Sequence, residues 1–513
     1  MSLEFQGKRV TVMGLGAFGG GVGAVQFLVR QGARVTVTDL APARELAGAL
    51  VQLEQTPPER LCLGEHCDAD FRFADLIIKN PAVPPQSRYL QVARDAGVPI
   101  TTELNLFWQR NPARTACVTG SNGKSTTAAL AHAMLSRALD AGRVLNGPRA
   151  APHLASIPFE QRQKQRSHYG APAGGTGRTG AGGRCWLGGN IGQSLLPLLE
   201  QISADDWVVL ELSSFQLEDL APLQPRPDVS VVTNFTPNHL DRHGTIDHYR
   251  AAKQNILRWQ GPDQVAVLNQ DDPDVCHWKT AAATCWFGRD DEGRQGLFGV
   301  GFDRFRRRAL LRYKFREQVL PLGEWFALPG EHQFLNALAA ACAALVLGSA
   351  PQDVADGLRC FRGLPHRLER LGEWRGRTFI NDSKATTPEA AIQALAAFRG
   401  PVVLIAGGYD KGLDLLPFAA AIVEREVRAL ALVGQTAEVL ARHVAACDPR
   451  GVIRVQTLAD LPAAFAFAVE QSRPGDLVML SPGCASYGAH RHYAERGEQF
   501  ARLAREWGAS AAS

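Results

Sequence analysis

Apolar residues in this chain come in short, nearly unbroken runs, and most runs end in glycine, proline or a polar turn. The first is "KRVTVMG" (Lys8–Gly14), followed by a glycine turn, a helical stretch and a second run, "ARVTVTDL" (Ala33–Leu40). Strand, turn, helix and strand in that order make a βαβ unit, the building block of a parallel sheet covered on both faces. With a further run, "ADLIIKNPAV", ending in a Pro-rich turn, the alternation predicts a doubly wound α/β domain over residues 1–111. The pattern restarts at "ARTACVTG" and continues through "DWVVLELSS", "VSVVTNF" and "QVAVLNQ". "HQFLNALAAACAALVL" is too long for a strand and rich in alanine, so it reads as a buried helix closing a second domain, 112–362. A third domain, 363–513, has its own strands at "RTFINDS", "PVVLIAGG", "RALALVG" and "DLVMLSPG". The predicted fold class is α/β in three domains. The outer two are Rossmann-like, and the central one is of the mononucleotide-binding type with a phosphate loop.

One stretch breaks the pattern. Residues 143–184 are rich in Gly, Pro and Gln and carry seven Lys or Arg against one Glu, a composition that buries little apolar surface. A disordered basic insertion is expected there, read first as a solvated linker.

Composition narrows the class only slightly. A chain of 513 residues exceeds one core, and 45% hydrophobic with 21% charged residues is ordinary for a globular protein. The formal net charge of +4 points neither toward nor away from nucleic acid, and no nucleic-acid partner is expected. The longest apolar run, Ala337–Leu347, is too short to span a bilayer, so no membrane insertion is expected. The opening "MSLEFQGKRV" has no apolar leader, and the ten cysteines form no C-x-x-C pair. Cys62, His66 and Cys67 lack a further ligand pair and read as ordinary thiols beside a histidine. A cytoplasmic monomer is the expectation.

Two glycine motifs carry the chemistry. Gly14-Leu15-Gly16-Ala17-Phe18-Gly19 has the form G-x-G-x-x-G, with Asp39 ending the next strand. Such a turn aims backbone N–H groups at a diphosphate while the acid holds a ribose. NAD, FAD and a UDP-sugar all supply those groups, so this motif alone does not choose among them. The second motif, "CVTGSNGKSTTAALAHAML" (Cys117–Leu135), is a phosphate loop between a strand and a helix, shorter than the usual G-x-x-x-x-G-K-[ST]. Gly120, Ser121, Asn122 and Gly123 would cradle phosphates, Lys124 would reach the terminal ones, and Ser125 or Thr126 would touch Mg²⁺. The chain is therefore expected to bind ATP or GTP.

"TGSNGKST" resembles the loop of the ATP-dependent Mur ligases. The resemblance continues through "GGNIG", "ELSSFQLE", "TNFTPNHLDRHGTIDHYRAAK", "LNQDD", "GEHQFLNALAA", "FRGLPHRLE", "NDSKATTPEA", "GGYDKG" and "SPGCAS", which together run over nearly the whole chain. It implies an amide ligase that activates a carboxylate with ATP to an acyl phosphate, which an amine then attacks. The implied partners are small molecules, UDP-N-acetylmuramoyl-L-alanine and glutamate. ATP and two Mg²⁺ sites are the implied cofactors.

By the same resemblance, Glu211, His239, Lys253 and Ser125 are metal ligands or metal neighbours, Lys253 in carbamylated form. Lys124, His239, Lys253, Asp382 and Lys384 form the catalytic set. Asn336 and Arg367 are nucleotide contacts, as is Asp382. Gly14, Leu15, Gly16, Ala17, Phe18, Asp39, Asn80 and Asn190 face the UDP-substrate, and Thr386, Lys411, Ser486 and Tyr493 face the amino acid. The segment "TTELNLF" resembles the one that closes over the substrate, and hinge closure of the domains is expected to exclude water. His332-Gln333 stands where the family has His-Asn. "SPGCASYGAH" departs from the family pattern at Gly483, Tyr487, Gly488 and His490, so D-glutamate and L-glutamate both stay open, as does another amino acid. A non-catalytic nucleotide-binding subunit is the alternative of a different class.

Overall fold

A computed structural model of the chain describes residues 3–16, 19–143, 183–289, 298–303, 308–313, 316–320, 331–410, 412–486 and 488–509. The basic insertion lies almost wholly outside the described residues. The chain divides into two compact units, Met1–Ala327 with Phe334–Phe361, and Leu328–Gln333 with Arg362–Ser513.

The first unit holds two sheets. The N-terminal one is all parallel, built from β1 (Arg9–Met13), β2 (Arg34–Asp39), β3 (Arg60–Leu63), β4 (Leu76–Lys79) and β5 (Ile100–Thr101) in the order β3-β2-β1-β4-β5. The second runs from β6 (Arg114–Thr119), β7 (Cys185–Gly189), β8 (Trp207–Glu211) and β9 (Val229–Val232) to β10 (Val265–Asn269) and β11 (Ala283–Arg289). It ends in β12 (Phe298–Asp303), β13 (Arg308–Tyr313) and β14 (Arg316–Leu320). Its order is β14-β13-β12-β11-β10-β9-β6-β8-β7, parallel except for the last two antiparallel pairings, β12 with β13 and β13 with β14. Those last strands were not expected. Arginines interrupt "RALLRY" and "REQVL", so neither offers the unbroken apolar run of a doubly covered strand.

The two sheets of this unit share one core. Val10, Val12 and Val35 of the first lie in the same cluster as Leu106, Leu196, Val208 and Leu210. Helix Gly20–Arg30 approaches so closely that a Cβ on Gly23 would meet Ser194 Cβ at 2.4 Å. Polar ties cross the same seam. Lys79 Nζ donates to Asp219 Oδ2 at 2.6 Å, and Asn105 Nδ2 to the Asp219 carbonyl at 2.8 Å. Ser194 Oγ donates to the Glu103 carboxylate, whose burial pushes its pKa up to about 7.

The second unit carries β15 (Glu369–Trp374), β16 (Arg377–Asn381), β17 (Val402–Ala406), β18 (Ala429–Val433), β19 (Arg454–Leu458) and β20 (Leu477–Leu480). Their order is β15-β16-β20-β17-β18-β19, parallel except for the β15–β16 hairpin. Helix Tyr493–Ala509 covers one face, with Phe500 packed beside Phe379 and Phe465. Among the described residues no helix is long and apolar enough to cross a membrane.

Candidate active site

The phosphate loop leaves β6 between β8 and β9, at the carboxyl ends of the strands, where an open α/β sheet presents ligands. Two glycines make its shape possible. Gly120 sits at φ +145°, and a Cβ there would lie 1.9 Å from Thr233 Oγ1. Gly123 sits at φ +80° at the N-cap of helix Lys124–Asp140, and a Cβ would lie 2.1 Å from Asn336 Oδ1. The start of that helix is left free of side-chain caps, as an anion site requires.

The segment after β9 braces the loop. Asn122 N donates to Asn234 Oδ1 at 2.8 Å, Thr233 Oγ1 to the Asn122 carbonyl at 2.6 Å, and Thr236 N to Ser121 Oγ at 2.9 Å. Tyr249 OH shares a hydrogen bond of 3.1 Å with Ser121 Oγ. Thr233, Asn234 and Tyr249 were not singled out from the sequence, because their partners lie more than a hundred positions away. Lys124 Nζ donates to the carbonyl of its own loop residue Ser121 at 2.9 Å, and Ser125 and Thr126 are buried at the helix start. Asn336 joins the loop's helix through Thr127 Oγ1, at 3.4 Å.

Lys253 is brought to the same place. It is 1% exposed, donates from Nζ to the Gly120 carbonyl at 2.7 Å, and lies 4.8 Å from the Tyr249 ring centroid. Burial, and then the charge of Lys124, pull its pKa well below that of an ordinary lysine; Glu211 opposes the fall. Glu211 closes β8 and is 2% exposed. Its Oε1 accepts from Asn190 Nδ2 at 3.1 Å, whereas Oε2 is buried and has no hydrogen-bond partner among the described residues. A Cβ on Gly189 would meet the Glu211 carbonyl at 2.2 Å, so the "GGNIG" turn packs directly on this acid.

His239 is exposed and held at φ +53°, a conformation that costs a non-glycine residue energy and clusters at functional sites. Its ring lies 5.1 Å from Phe215 and 6.5 Å from Tyr249, which places it toward the loop.

The first glycine motif forms a separate cluster at the carboxyl end of the N-terminal sheet. Asp39 Oδ2 accepts from Leu15 N at 2.8 Å and Gly16 N at 3.4 Å, and Oδ1 from Ala41 N at 2.9 Å. Asn80 packs on the turn, its Cβ 2.9 Å from where a Gly14 Cβ would sit. Ala17 and Phe18 lie outside the described residues.

In the second unit, Asp382 follows β16 and is 4% exposed. It accepts from Ser481 Oγ at 2.7 Å and from Leu368 N at 3.1 Å. Burial pushes its carboxyl up to about 7, against those hydrogen bonds and the charges of Arg367 and Arg496. Its folded pKa is raised above the unfolded value, so its contribution to stability is complete below about pH 4 and is lost as pH rises through about 7. Across the middle of that window the slope is about −1.4 kcal/mol per pH unit. Urea unfolding of Asp382→Asn, measured from pH 4.5 to 7, is expected to lack that slope; an unchanged slope would assign it elsewhere.

Lys384 lies with Nζ 5.6 Å from the Tyr493 ring centroid, and the Tyr493 carbonyl accepts from Ser383 Oγ at 2.7 Å. Thr386 is half-buried, Ser486 is buried, and Lys411 lies outside the described residues. In this unit sequence reasoning also missed Arg496, 3% exposed on helix Tyr493–Ala509. It donates to the Ser383 carbonyl at 2.8 Å and hydroxyl at 3.0 Å, and to the Cys484 and Ala485 carbonyls at 3.2 Å. It thereby ties "NDSKAT" to "SPGCAS". Gly483, one of the departures, sits at φ +64°, and a Cβ there would lie 2.6 Å from the Phe418 ring.

Comparison with known proteins joins these pieces. Residues 8–102 match the model of the Mur ligase MurD-like N-terminal domain, 193–344 the Mur ligase middle domain, and 366–484 the Mur ligase glutamate ligase domain. The chain is 37% identical over 509 residues to the UDP-N-acetylmuramoylalanine–D-glutamate ligase of Roseiflexus sp. (strain RS-1), covering 98% of this chain and 99% of that one. It is also 37% identical over 521 residues to the enzyme of that name from Anaeromyxobacter dehalogenans, covering 98% of each. Among solved structures, the UDP-N-acetylmuramate–alanine ligase of Thermotoga maritima aligns with a TM-score of 0.59 at 18% identity, over 98% of this chain and 100% of that one. The MurF ligase of the same organism, in complex with ADP, aligns with a TM-score of 0.51 at 18% identity, over 98% and 96%. Three family models in sequence order, and relatives matched end to end, place the chain in the Mur ligase family.

Proposed function

We infer that this protein is an ATP-dependent carboxylate–amine ligase that adds D-glutamate to UDP-N-acetylmuramoyl-L-alanine in peptidoglycan precursor synthesis, a cytoplasmic step. The observation that carries the mechanism is the buried Glu211 Oε2, unpartnered among the described residues, close to the Lys124 loop and Lys253. A buried carboxylate oxygen without a partner costs about 1–3 kcal/mol or more, and a cation there removes the cost.

The donor set fits Mg²⁺, which takes carboxylate and hydroxyl oxygens: Glu211 and Ser125 would hold one ion and carbamylated Lys253 a second, with His239 beside it. Bound Mg²⁺ neutralises phosphate oxygens and draws charge off the transferred phosphoryl group. Carbamylation needs a neutral amine, and burial together with the charge of Lys124 favours that form of Lys253. Its nitrogen bonds the carbon of CO₂, one proton leaves, and an anion replaces a would-be cation.

The backbone of Gly120–Gly123 binds the ATP phosphates, and Lys124 pairs with the terminal one. The substrate carboxylate attacks the γ-phosphorus, its P–O bond to ADP breaks, and the glutamate amine then displaces phosphate from the acyl carbon. We assign Asn336, Arg367, Asp382 and Lys384 to the nucleotide and the reacting groups. Thr386, Lys411, Ser486 and Tyr493 are assigned to glutamate, whose carboxylates a lysine and a hydroxyl can bind. Gly14–Phe18, Asp39, Asn80 and Asn190 are assigned to the UDP-sugar. Asp39 accepts from the Leu15 and Gly16 N–H groups and so fixes the shape of the turn assigned to this substrate.

The test is phosphate release from ATP, Mg²⁺ and UDP-N-acetylmuramoyl-L-alanine with either glutamate isomer. Turnover with D-glutamate alone is expected. Preference for the L-isomer overturns the substrate and keeps the mechanism; no turnover with either overturns both.

A further inference from the structure

Glu218, His243 and His248 bring three ligand atoms within 4.8 Å of one another, the one such group of three or more His, Cys, Asp or Glu ligands among the described residues. None of the three belongs to the set assigned above. We propose that they form a binding site for a zinc-class transition-metal cation, distinct from the Mg²⁺ sites.

The ring orientations support this. His248 Nδ1 faces the His243 carbonyl at 2.9 Å, an acceptor only, so that nitrogen carries the proton and Nε2 faces Glu218 Oε1 at 2.8 Å. His243 Nε2 lies 3.0 Å from Ser214 Oγ, which leaves Nδ1 facing Glu218 Oε2 at 4.0 Å. Each outward nitrogen is thus held by an oxygen, and the inward one is aimed at the shared centre. Such supporting contacts fix metal-bound histidines elsewhere. The His243 side chain is 1% exposed and stacked on Phe215, whereas those of Glu218 and His248 are 40% and 52% exposed, which gives the ion a route in. Two imidazoles and one carboxylate select zinc, nickel or copper over magnesium, which prefers oxygen alone. Binding would bring the three atoms, now within 4.8 Å of one another, to about 2.0–2.1 Å from the ion.

The ligands come from three pieces of chain: helix Ser214–Leu220, the turn Leu240–His243 and helix Ile246–Gln254. The first follows Glu211, the second follows His239, and the third carries Lys253. A bound ion pins all three together, so its role is to clamp the frame around the loop.

The test uses the full chain without an affinity tag, stripped with chelator and dialysed against Zn²⁺ in excess Mg²⁺, with bound metal counted by mass spectrometry and thermal unfolding followed. One Zn²⁺ per chain and a raised melting temperature are expected. His248→Ala and Glu218→Gln each weaken retention by at least about tenfold, while Glu211→Gln keeps it. No retained zinc, retention in His248→Ala and Glu218→Gln equal to that of the native chain, or loss in Glu211→Gln alone overturns the proposal.

Discussion

Replacing Lys253 by alanine lowers D-glutamate-dependent phosphate release by about a thousandfold, the scale of losing a preorganised charge in a dry site. The ammonium form of this lysine is disfavoured where it stands, 1% exposed and beside the charge of Lys124. A carbamate there would answer Lys124 with an anion, and alanine can form none. Added formate or acetate is expected to restore part of the lost rate, because a small carboxylate can enter the space the side chain leaves. Carbon-13 bicarbonate should give a carbamate resonance in the native protein and none in Lys253→Ala. Retention of more than about a tenth of the rate, with unaltered thermal unfolding, would remove the carbamate from the mechanism.

The second large effect is expected at Arg496. Its guanidinium reaches carbonyls of Ser383, Cys484 and Ala485, and burial lowers its pKa only to about 10, so it stays charged near neutrality. Arg496→Ala removes this donor from the Ser383 and Cys484 carbonyls, while the Ala485 carbonyl keeps the Tyr409 N–H, and costs about 3 kcal/mol. Urea unfolding of the C-terminal unit should shift accordingly. The two loops that it joins carry Lys384 and Ser486, so the KM for glutamate should rise about tenfold, and ATP binding should weaken with it because the first loop also carries Asp382. Arg496→Lys should fall between the two, since one ammonium replaces part of the fork. A stability loss with an unmoved KM would reduce Arg496 to a structural residue.

What the sequence disclosed follows from how residues are buried. β8, β10 and β17 are buried at every position, and such strands are apolar except where β8 and β10 end in the polar Glu211 and Asn269, so "WVVL", "VAVLN" and "VVLIA" were readable. β3 and β19 are mostly exposed or half-buried, and their mixed polar residues hid them. The phosphate loop was legible because its chemistry lies in consecutive residues. Its braces, Thr233 and Asn234, act across the ends of neighbouring strands, and no spacing rule connects them to Asn122. Arg496 was invisible for another reason: an arginine on an amphipathic helix looks like a solvated charge until the loops beneath it are seen. Glu211 and Lys253 were reached through the family pattern, since spacing alone made Lys253 a surface residue.

The meeting of Gly483 with Phe418 bears on how this enzyme can be changed by descent or by grafting. An alanine at 483 would need a Cβ where the aromatic ring lies, on a backbone already turned to φ +64°. That change alone therefore crowds the fold, and shrinking Phe418 alone opens a void in the core that it helps fill. The two positions are expected to change together. A chimera that borrows the "SPGCAS" loop from a relative must borrow helix Leu416–Glu424 with it.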